Sequence, residues 1–508
     1  MDISPSRDDF HALAADHSVV PVWRELLADL ITPVAAFARL CGDDQPGFLF
    51  ESVEHGERWS RFSFVGRNPI ATLVLRDGIV TVDGDLPAAM PRDKGILAAI
   101  EWLLAAYRSP SLDALPPLHG GVVGYLGYDV VREVEDLAET PHDATGYPDA
   151  VMAVIGQLAA FDHFRQRVTL IDNVLVPDGA TTADLDRLYN EAALRLEQLA
   201  ADGASPLAEP MVDPPSPSPD LPDVTGSMTY SQWESAVEVA KERILDGDIF
   251  QVVLSQRFSF ELGADPFDFY RVLRQVNPSP YMYFVRMPEL SLAGSSPEPM
   301  VKLVDNRVIS RPIAGTRRRG ATEEEDRRLG AELREHPKEI AEHVMLIDLA
   351  RNDVGRVVEF GTEQVDEMMV LERYSHVMHL TSQVSGELAH GKTPIDVLRA
   401  TLPAGTVSGA PKIRAMEIID ELEPVKRGPY AGVVGYIDFS GTIDTALAIR
   451  TLMVGADGIA HVQAGAGIVA DSVAEHEDLE CRNKARGLLS AVPGARRMTA
   501  QRRGEPNS

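Results

Sequence analysis

The sequence contains few cysteines, fewer basic than acidic residues and no long apolar run. Its 508 residues include two cysteines, Cys41 and Cys481, far apart and without a CxxC or Cys/His cluster. Neither a disulfide framework nor a zinc site is therefore supported, and a reducing compartment is expected. Lys and Arg number 48 against 77 Asp and Glu, a formal net charge of −29. Because phosphate backbones are neutralised by clustered basic residues, we expect no nucleic-acid partner.

One basic run departs from this balance. Arg317, Arg318 and Arg319 are consecutive and have no interleaved aromatic residues. Such a run indicates either a solvated face or a phosphate-binding patch.

Apolar stretches are too short for a membrane span. The most apolar one, 96–107, is interrupted by Glu101 and falls short of the ~20 residues that cross a bilayer. The N-terminus carries acidic residues where a signal peptide has a basic start. We expect a cytoplasmic protein without membrane association.

Composition divides the chain into four segments. Residues 201–227 are rich in proline, acidic and small residues, which is typical of a linker. This places an N-terminal domain at 1–200, a second domain at 228–490 and a polar tail at 491–508. Short strand-like runs alternate with helix-like stretches, which indicates an α+β class.

Several elements are specific enough to predict individually. In the first half, helices are predicted at 94–107 and 183–200, and strands at 48–50, 79–82 and 168–171. After the linker, Ser231 and Glu234 have the spacing of a capping box, and Gly247 marks the end of that helix. A strand then starts close to Gln251.

Two later helices each contain a pair of glutamates three residues apart. Glu339 and Glu342 follow Pro337, which is typical of a first helical turn, and Glu477 and Glu480 lie in the helix predicted at 475–489. Each pair therefore lies on one helix face. Four inward carboxylates suit a hard cation such as Mg²⁺, although glutamates at this spacing commonly form a solvated face.

Three segments contain closely spaced glycines, at 312–317, 403–412 and 463–467. Glycine lets the backbone approach a ligand, and successive N–H groups bind anions, so loops here are candidates for holding carboxylates. Simple chain reversals are the alternative interpretation.

Taken in order, these segments resemble the chorismate-utilising enzymes, specifically the family of anthranilate synthase large subunits (component I). The matching segments span 230–489 and are GDIFQVVLSQRF, GSSPEPMV, RPIAGTRRRG, EIAEHVMLIDLARND, VMHL, LPAGTVSGAPKIRAMEIID, GPYAGVVGY, AIRT, QAGAGIV and EHEDLECRNKAR. The first half also resembles that family through LFES at 49–52 and RFSFVG at 61–66.

The resemblance implies a fold and a reaction. The fold is two facing antiparallel β-sheets with helices outside, built from strands on both sides of the linker. The reaction is amination of chorismate by ammonia followed by elimination of pyruvate, which gives anthranilate for tryptophan biosynthesis. Mg²⁺ is the implied cofactor. The implied partner is a glutamine amidotransferase subunit, in a heterotetramer of two large and two small subunits.

The resemblance also implies roles for individual residues. Glu342 and Glu480 match the metal ligands, with Glu339 and Glu477 as supporting acids. Glu298 matches the acid that protonates the leaving hydroxyl, and His379 matches the histidine of the elimination. The remaining catalytic and substrate-binding positions are Thr406, Gln251, Gly315, Thr316, Tyr430, Arg450, Gly465, Ala466, Gly467 and Lys484.

Four of these positions, His379, Arg450, Lys484 and Thr406, have a structural alternative. A histidine between Met378 and Leu380 is commonly a hydrogen-bonded core residue. Arg450 could pair with a helix end, Lys484 could complement a helix C-terminus, and Thr406 could serve only a turn.

Two positions distinguish the subfamilies within this resemblance. Gln251 stands where relatives that add water carry a lysine base, and a neutral amide does not activate water in that way. Ala314 stands where aminodeoxychorismate synthases typically carry a lysine nucleophile. Anthranilate is therefore the expected product. An aminodeoxychorismate synthase and a non-catalytic metabolite-binding relative remain alternatives.

A regulatory site is also implied. Ser52, together with Pro280, Tyr281 and Met282, matches the family's tryptophan feedback pocket. Phe50 departs from the usual Leu-Leu pair of that motif. The alternative is an ordinary contact between domains.

Overall fold

The computed structural model describes residues 3–52, 61–138, 140–207, 209–216, 219–373 and 377–504. The helices are α1 (Arg7–Ala14), α2 (Pro33–Cys41), α3 (Gly95–Ala106), α4 (Thr182–Gly203), α5 (Tyr230–Leu245), α6 (Pro266–Val276), α7 (Glu323–Glu335), α8 (Pro337–Gly355), α9 (Pro394–Thr401), α10 (Lys412–Leu422), α11 (Ala474–Leu489) and α12 (Val492–Arg503). Short 3₁₀ helices lie at Tyr128–Glu133 and Gly405–Val407.

The first strands are β1 (Val19–Leu27), β2 (Gly47–Glu51), β3 (Phe62–Arg67), β4 (Ala71–Arg76), β5 (Ile79–Gly84), β6 (Gly121–Leu126), β7 (Ala150–Val154), β8 (Gln157–Asp162), β9 (Arg167–Leu175), β10 (Thr225–Gly226), β11 (Gln251–Glu261) and β12 (Tyr281–Arg286). The remaining strands are β13 (Leu290–Ser296), β14 (Pro299–Val304), β15 (Arg307–Ser310), β16 (Ile313–Arg318), β17 (Gln364–Arg373), β18 (Val377–Glu387), β19 (Gly409–Ala410), β20 (Val433–Asp438), β21 (Ile443–Leu447), β22 (Thr451–Gly455) and β23 (Ile459–Ile468).

These strands form two large antiparallel sheets. The first has the order β1-β9-β8-β3-β2-β12-β13-β22-β23-β11-β10, with β19 also paired to β11. The second has the order β16-β18-β15-β14-β21-β20-β6-β7-β4-β5, with β17 also paired to β18. The predicted α+β class and the two-sheet architecture are confirmed.

Both sheets contain strands from before and after the proline-rich segment 201–227. In the first sheet β2 pairs with β12, so that Glu51 lies opposite Met282. In the second sheet β6 pairs with β20. Because each sheet is shared, the parts expected as domains at 1–200 and 228–490 have common cores.

The hydrophobic core has two main layers. One, with Leu73 and Leu254, lies between the sheets and includes residues of α3, α8 and α10. The other, with Phe37 and Phe284, lies between the first sheet and helices α2, α4, α6 and α12. Both layers come from the alternation of inward and outward side chains along the strands.

The start of α5 differs from the prediction. The capping box is formed by Thr229 and Gln232, two residues before the predicted pair of Ser231 and Glu234. Both pairs have the required spacing, and Thr229 is the residue with the extended cap conformation. Gly247 has a φ of 85°, as expected at a helix end.

The segment expected as a polar tail, 491–508, forms helix α12 in its described part. Val492, Ala495 and Met498 are buried there. Thr499 donates a hydrogen bond to the buried Asp268 of α6 at 2.8 Å. Within the described ranges, every helix is too short or too polar to cross a membrane.

Candidate active site

His379 lies in the β16–β18 ladder, opposite Thr316. Its Nδ1 is 3.0 Å from the carbonyl oxygen of Gly315 and 3.1 Å from the Thr316 hydroxyl. Because a carbonyl only accepts hydrogen bonds, Nδ1 carries the proton and Nε2 carries the basic lone pair. Burial lowers the pKa of His379, the Arg450 charge adds to this effect, and the Gly315 carbonyl opposes it. The imidazole is therefore a neutral base at pH 7.

Glu298 is a buried carboxyl between β13 and β14, with 9% of its surface exposed. The hydroxyl of Thr406 donates to its Oε1 at 2.8 Å. Burial raises the pKa of Glu298 to about 7, against the opposing effects of the Thr406 hydrogen bond and the Lys484 charge. The group can therefore hold or release a proton near neutral pH, which a general acid requires.

Lys484 links helix α11 to the strand that contains the glycine cluster. Its Nζ donates to the carbonyl oxygen of Gly465 at 2.8 Å and lies 2.6 Å from Oε1 of Glu480. The charge of this ammonium also lowers the pKa of Glu298, against the larger effect of burial. Lys484 thus places positive charge next to the candidate acid rather than only at a helix end.

Arg450 stands between β21 and β22 with a φ of 51°, a left-handed conformation that is costly for a residue with a side chain. Its Nη1 donates to the backbone carbonyl of Lys484 at 3.0 Å. In the described part of the chain, no carboxylate lies within ion-pair distance of its guanidinium. Since the Arg450 guanidinium forms no salt bridge among the described residues, it suits a bidentate contact with a ligand carboxylate.

Tyr430 faces the glycine cluster of β23. A Cβ at Gly465 would lie 2.9 Å from the Tyr430 hydroxyl and 2.8 Å from the carbonyl oxygen of Leu254. A Cβ at Gly467 would lie 2.3 Å from Nε2 of Gln251. Ala466 between them is buried. Glycine at 465 and 467 therefore permits close packing that a side chain would prevent.

Two of the three expected glycine loops are strand segments. Residues 463–467 lie inside β23, and 312–317 lie largely in β16. Gly315, with a φ of 64°, occupies a register shift between Ala314 and Thr316, where a bulge turns the strand. The prediction of loops was wrong here because the sheet satisfies these backbone groups. The 403–412 segment contains the 3₁₀ helix Gly405–Val407 and the short strand β19.

The glutamates of α8 lie against the bulge in β16. Oε1 of Glu339 is 2.9 Å from Nη1 of Arg317, and its Oε2 would be 2.9 Å from a Cβ at Gly315. Glu342 is partly buried one turn later in the same helix. The α8 pair therefore borders the strand that also positions Thr316.

The three arginines of the run at 317–319 all pair with carboxylates, and 68% of the Arg318 side chain is exposed. Besides the contact between Arg317 and Glu339, Arg318 pairs with Glu325 at 2.5 Å and Arg319 pairs with Asp326 at 2.7 Å. These ion pairs join β16 to α7. The Arg319 hydrogen bond is the main cause that lowers the pKa of Asp326 to about 2.

The four candidate metal ligands are divided between α8 and α11. Among the described residues, no group of three or more His, Cys, Asp or Glu side chains is assembled to hold a metal. Glu339, Glu342, Glu477 and Glu480 therefore do not form a preassembled four-carboxylate site among the described residues. Glu480, with 48% of its side chain exposed, is paired to Lys484. Glu477 is partly buried one turn before it.

The four residues predicted for the regulatory site line one cavity of about 1480 Å³ between the sheets; they are Ser52, Pro280, Tyr281 and Met282. The Tyr281 hydroxyl donates to Asp444 at 3.0 Å. Glu51 accepts from the Tyr270 hydroxyl at 2.7 Å and pairs with Arg274 at 2.7 Å. Sequence reasoning thus selected residues that the fold brings together.

Two buried ion pairs next to the site were missed. Lys412 pairs with Asp353 at 2.8 Å, which joins α10 to α8, and Arg427 pairs with Glu423 at 2.6 Å. The spacing of Glu423 and Arg427, four residues apart, was a visible signal. At the end of a helix the same spacing commonly marks an exposed pair, so burial could not be inferred from it.

The chain belongs to the family of chorismate binding enzymes, whose model matches residues 53–490. Its relatives include two proteins named anthranilate synthase component 1. That of Mycolicibacterium smegmatis is 45% identical over 96% of this chain and 94% of the relative. That of Thermus thermophilus is 48% identical over 93% of this chain and 97% of the relative.

A solved structure supports the same assignment. The crystal structure of anthranilate synthase component I from Streptococcus pneumoniae has 36% sequence identity and a TM-score of 0.75, and the match covers 91% of this chain and 99% of that one. The predicted resemblance and the prediction that the chain is an enzyme of this family are confirmed.

Proposed function

We propose that the chain is the large subunit of an anthranilate synthase, which converts chorismate and ammonia to anthranilate and pyruvate. The observation that supports this most is the arrangement around Glu298. A buried carboxyl with a pKa of about 7 lies in the field of Lys484, and Lys484 adjoins the guanidinium of Arg450. An acid beside the Lys484 ammonium suits protonation of a leaving hydroxyl on an anionic substrate.

Substrate binding follows from the cations and the close-packed backbone. Arg450 holds one carboxylate with its fork, and Lys484 contributes charge next to it. Tyr430 and the Gly465–Gly467 backbone form the surface against the ring. In a chain with a net charge of −29, this local positive charge is what makes an anionic substrate favourable.

The first chemical step is amination. Ammonia adds to the ring through its lone pair while the ring hydroxyl leaves, and Glu298 donates a proton so that it leaves as water. Thr406 fixes the carboxyl of Glu298 through its hydrogen bond. Gln251, a neutral amide, leaves ammonia as the nucleophile because it cannot deprotonate water.

The second step is elimination. Nε2 of His379 removes the ring proton, or orients the group that does, as pyruvate departs and the ring becomes aromatic. Gly315 and Thr316 hold the other ring nitrogen and so direct Nε2. Ala314 is buried, with 8% of its surface exposed, and supplies no amine for a covalent route to another ring carbon.

Glu342 and Glu480 hold a Mg²⁺ ion in this proposal, with Glu339 and Glu477 in support. The donor set suits the ion, because Mg²⁺ prefers oxygen ligands and commonly takes only one or two protein carboxylates together with substrate and water. The partly exposed carboxylate of Glu480 is accessible to such an ion. A bound Mg²⁺ offsets the negative charge of a substrate carboxylate.

Ammonia comes from a separate glutamine amidotransferase subunit in a heterotetramer. Amide hydrolysis of glutamine by that class of enzyme needs a reactive cysteine, and both cysteines of this chain are buried. Burial raises the pKa of Cys41 and of Cys481 to about 12, so neither is a nucleophile at neutral pH. The relatives' name, component 1, is consistent with a second component.

Tryptophan inhibits the enzyme by binding in the cavity that Ser52, Pro280, Tyr281 and Met282 line. The cavity spans the pairing of β2 with β12, where the two halves of the first sheet meet. A ligand there can bias how these halves pack, and so affect the site.

The function is tested by identifying the product. The purified chain is incubated with chorismate, Mg²⁺ and ammonium, and anthranilate is followed by fluorescence and chromatography. We expect anthranilate with ammonium, none with glutamine until the partner subunit is added, and none in EDTA. A non-aromatised amino product would indicate an aminodeoxychorismate synthase, and saturable chorismate binding without any product would indicate a non-catalytic relative.

The regulatory proposal has its own test. Millimolar tryptophan is expected to inhibit the parent chain and to inhibit Ser52→Ala less, because the variant lacks the hydroxyl of a residue that lines the cavity. Equal activity of both chains with and without tryptophan would contradict it.

A further inference from the structure

The guanidinium of Arg427 is buried beside the candidate site, with 2% of its side chain exposed. Its Nη1 donates to the carbonyl oxygen of Val407, and its Nη2 to the carbonyl oxygen of Val253, both at 2.7 Å. Val407 directly follows Thr406. Val253 lies in β11, two residues after Gln251. One side chain therefore fixes two backbone segments that hold proposed site residues.

Glu423 completes this contact and extends it through Ser255 to a second strand, β23. It accepts from Nε of Arg427 at 2.9 Å and from Nη2 at 2.6 Å. It also accepts from the backbone N–H and the hydroxyl of Ser255, at 2.8 and 2.9 Å. Gln463 of β23 donates to the same hydroxyl at 2.8 Å. The network thus reaches the strand that contains Gly465.

Two tyrosine rings lie next to the same guanidinium. Its central carbon is 4.6 Å from the ring centroid of Tyr128 and 5.7 Å from that of Tyr430. Both distances are within the range of a cation–π interaction. The ring of Tyr430, proposed to contact the substrate, is therefore also in contact with Arg427.

The chemistry of these contacts requires arginine. A planar guanidinium with donors in fixed directions can serve two backbone carbonyls and a carboxylate at once, whereas an ammonium is a point charge on a flexible chain. Burial tends to lower the pKa of Arg427, but the charge and hydrogen bonds of Glu423 outweigh this and raise it. The cation is therefore permanent.

We propose that Arg427, held by Glu423, is a positioning residue that sets Thr406, Tyr430 and the start of β11 relative to one another. This inference rests on the proposed function, since those three elements supply the acid's hydrogen bond, the ring contact and Gln251. Arg427 touches no reacting atom and acts through its neighbours.

Arg427→Lys tests the proposal, because it retains the charge and loses the fork. Arg195→Lys is the matched control: Arg195 binds both oxygens of the buried Asp172 at 3.0 and 2.8 Å, between α4 and β9 and away from the site. Both variants are compared with the parent in kcat and KM for chorismate, in the pH profile of kcat/KM, and in hydrogen exchange of 403–411.

For Arg427→Lys we expect kcat to fall about 100-fold, the loss typical of a displacement near 1 Å at a site. Weakening the Thr406 hydrogen bond removes an effect that lowers the pKa of Glu298, so the alkaline limb of kcat/KM moves to higher pH. Exchange of 403–411 becomes faster. Arg195→Lys changes none of these quantities, even where it lowers the melting temperature.

Two outcomes would overturn the inference. In one, folded Arg427→Lys keeps the parent's kcat and pH profile. In the other, its activity falls only with the unfolded fraction measured by circular dichroism, while the alkaline limb and exchange of 403–411 stay unchanged. If Arg427→Lys does not fold, Glu423→Gln is measured instead, with the same comparison of kcat, pH profile and hydrogen exchange of 403–411. A parent chain that makes no anthranilate would contradict the proposed function instead, and the exchange comparison would still decide the positioning role.

Discussion

At the scale of single residues, the proposed chemistry depends on two groups, Glu298 and His379, whose environments move their pKa values in opposite directions. Burial raises the pKa of Glu298 to about 7 and lowers the pKa of His379. In each case burial favours the neutral form. The result is a protonated acid and an unprotonated base at the same pH, which two-step amination and elimination need.

The pH dependence of kcat/KM follows from these directions. Above about pH 7 Glu298 loses the proton that it must donate, so the rate falls about tenfold per pH unit. On the acid side, His379 becomes protonated only below its ordinary pKa of about 6.5. A profile measured with saturating ammonia, corrected for its ionisation, checks both limbs.

Thr406→Val separates the role of Glu298 from other causes. The variant lacks the hydrogen bond that lowers the pKa of the acid, so the alkaline limb moves to higher pH. The Lys484 charge, the other influence in that direction, is retained. An alkaline limb that stayed in place would show that Glu298 is not the group that titrates there.

The sequence could suggest a role for some of these residues and not for others. Glu298, His379 and Arg450 stand in recognisable motifs, and their roles stay predictions. No role was suggested for Arg427, because its importance comes from burial and from carbonyls that are far away in sequence. A sequence shows side-chain chemistry directly, but it does not show which backbone oxygens the fold will bring to a guanidinium.

At the scale of elements, close packing of β11 against β23 shapes the surface proposed to bind the substrate. A Cβ at Gly465 would approach the carbonyl oxygen of Leu254 and the Tyr430 hydroxyl to within 3 Å. The backbone atom cannot move independently of the sheet, so Tyr430 or the strand must shift.

Gly465→Ala is therefore expected to raise KM for chorismate at least tenfold, which corresponds to a loss of about 1.4 kcal/mol in binding. Gly203→Ala is the control, since its nearest neighbour would be 4.0 Å away at the end of α4. Alanine is also the better helix former, so Gly203→Ala should leave activity unchanged. Steady-state kinetics of both variants with chorismate test this prediction. An unaltered KM for Gly465→Ala would contradict it.

Elements with strong local signals were predicted well. Helix α8 begins at Pro337, α11 covers the predicted 475–489, and β11 begins at Gln251. The wrong predictions concern individual helix ends and strands, and each has a physical cause. Two capping boxes compete at the start of α5, and glycine-rich stretches of β16 and β23 were taken for loops because glycine serves bulges and close contacts as well as turns.

At the scale of the whole molecule, the fold depends on pairings that no local pattern specifies. β2 pairs with β12 across more than 200 residues, and β6 pairs with β20 across more than 300. The order of strands in each sheet could therefore be inferred only from the resemblance. These pairings also place the cavity that Ser52 and Tyr281 line where the two parts of the first sheet meet.

Charge is arranged at the same scale. The molecule carries a formal net charge of −29, yet the Arg450 guanidinium contacts the backbone of Lys484, whose ammonium influences Glu298. Most basic side chains elsewhere in the described residues pair with carboxylates, whereas the Arg450 fork has no such partner among them. We propose that this local positive charge, together with a Mg²⁺ ion that Glu342 and Glu480 would hold, receives the two carboxylates of chorismate.

A crystal structure of Glu298→Gln soaked with chorismate and Mg²⁺ tests that claim most directly, because the variant lacks the acid and does not turn the substrate over. We predict one ligand carboxylate on the Arg450 guanidinium, the ring against Tyr430 and the Gly465–Gly467 backbone, and a metal ion on Glu342 and Glu480. Chorismate bound elsewhere, in contact with neither Arg450 nor those glutamates, would contradict the account.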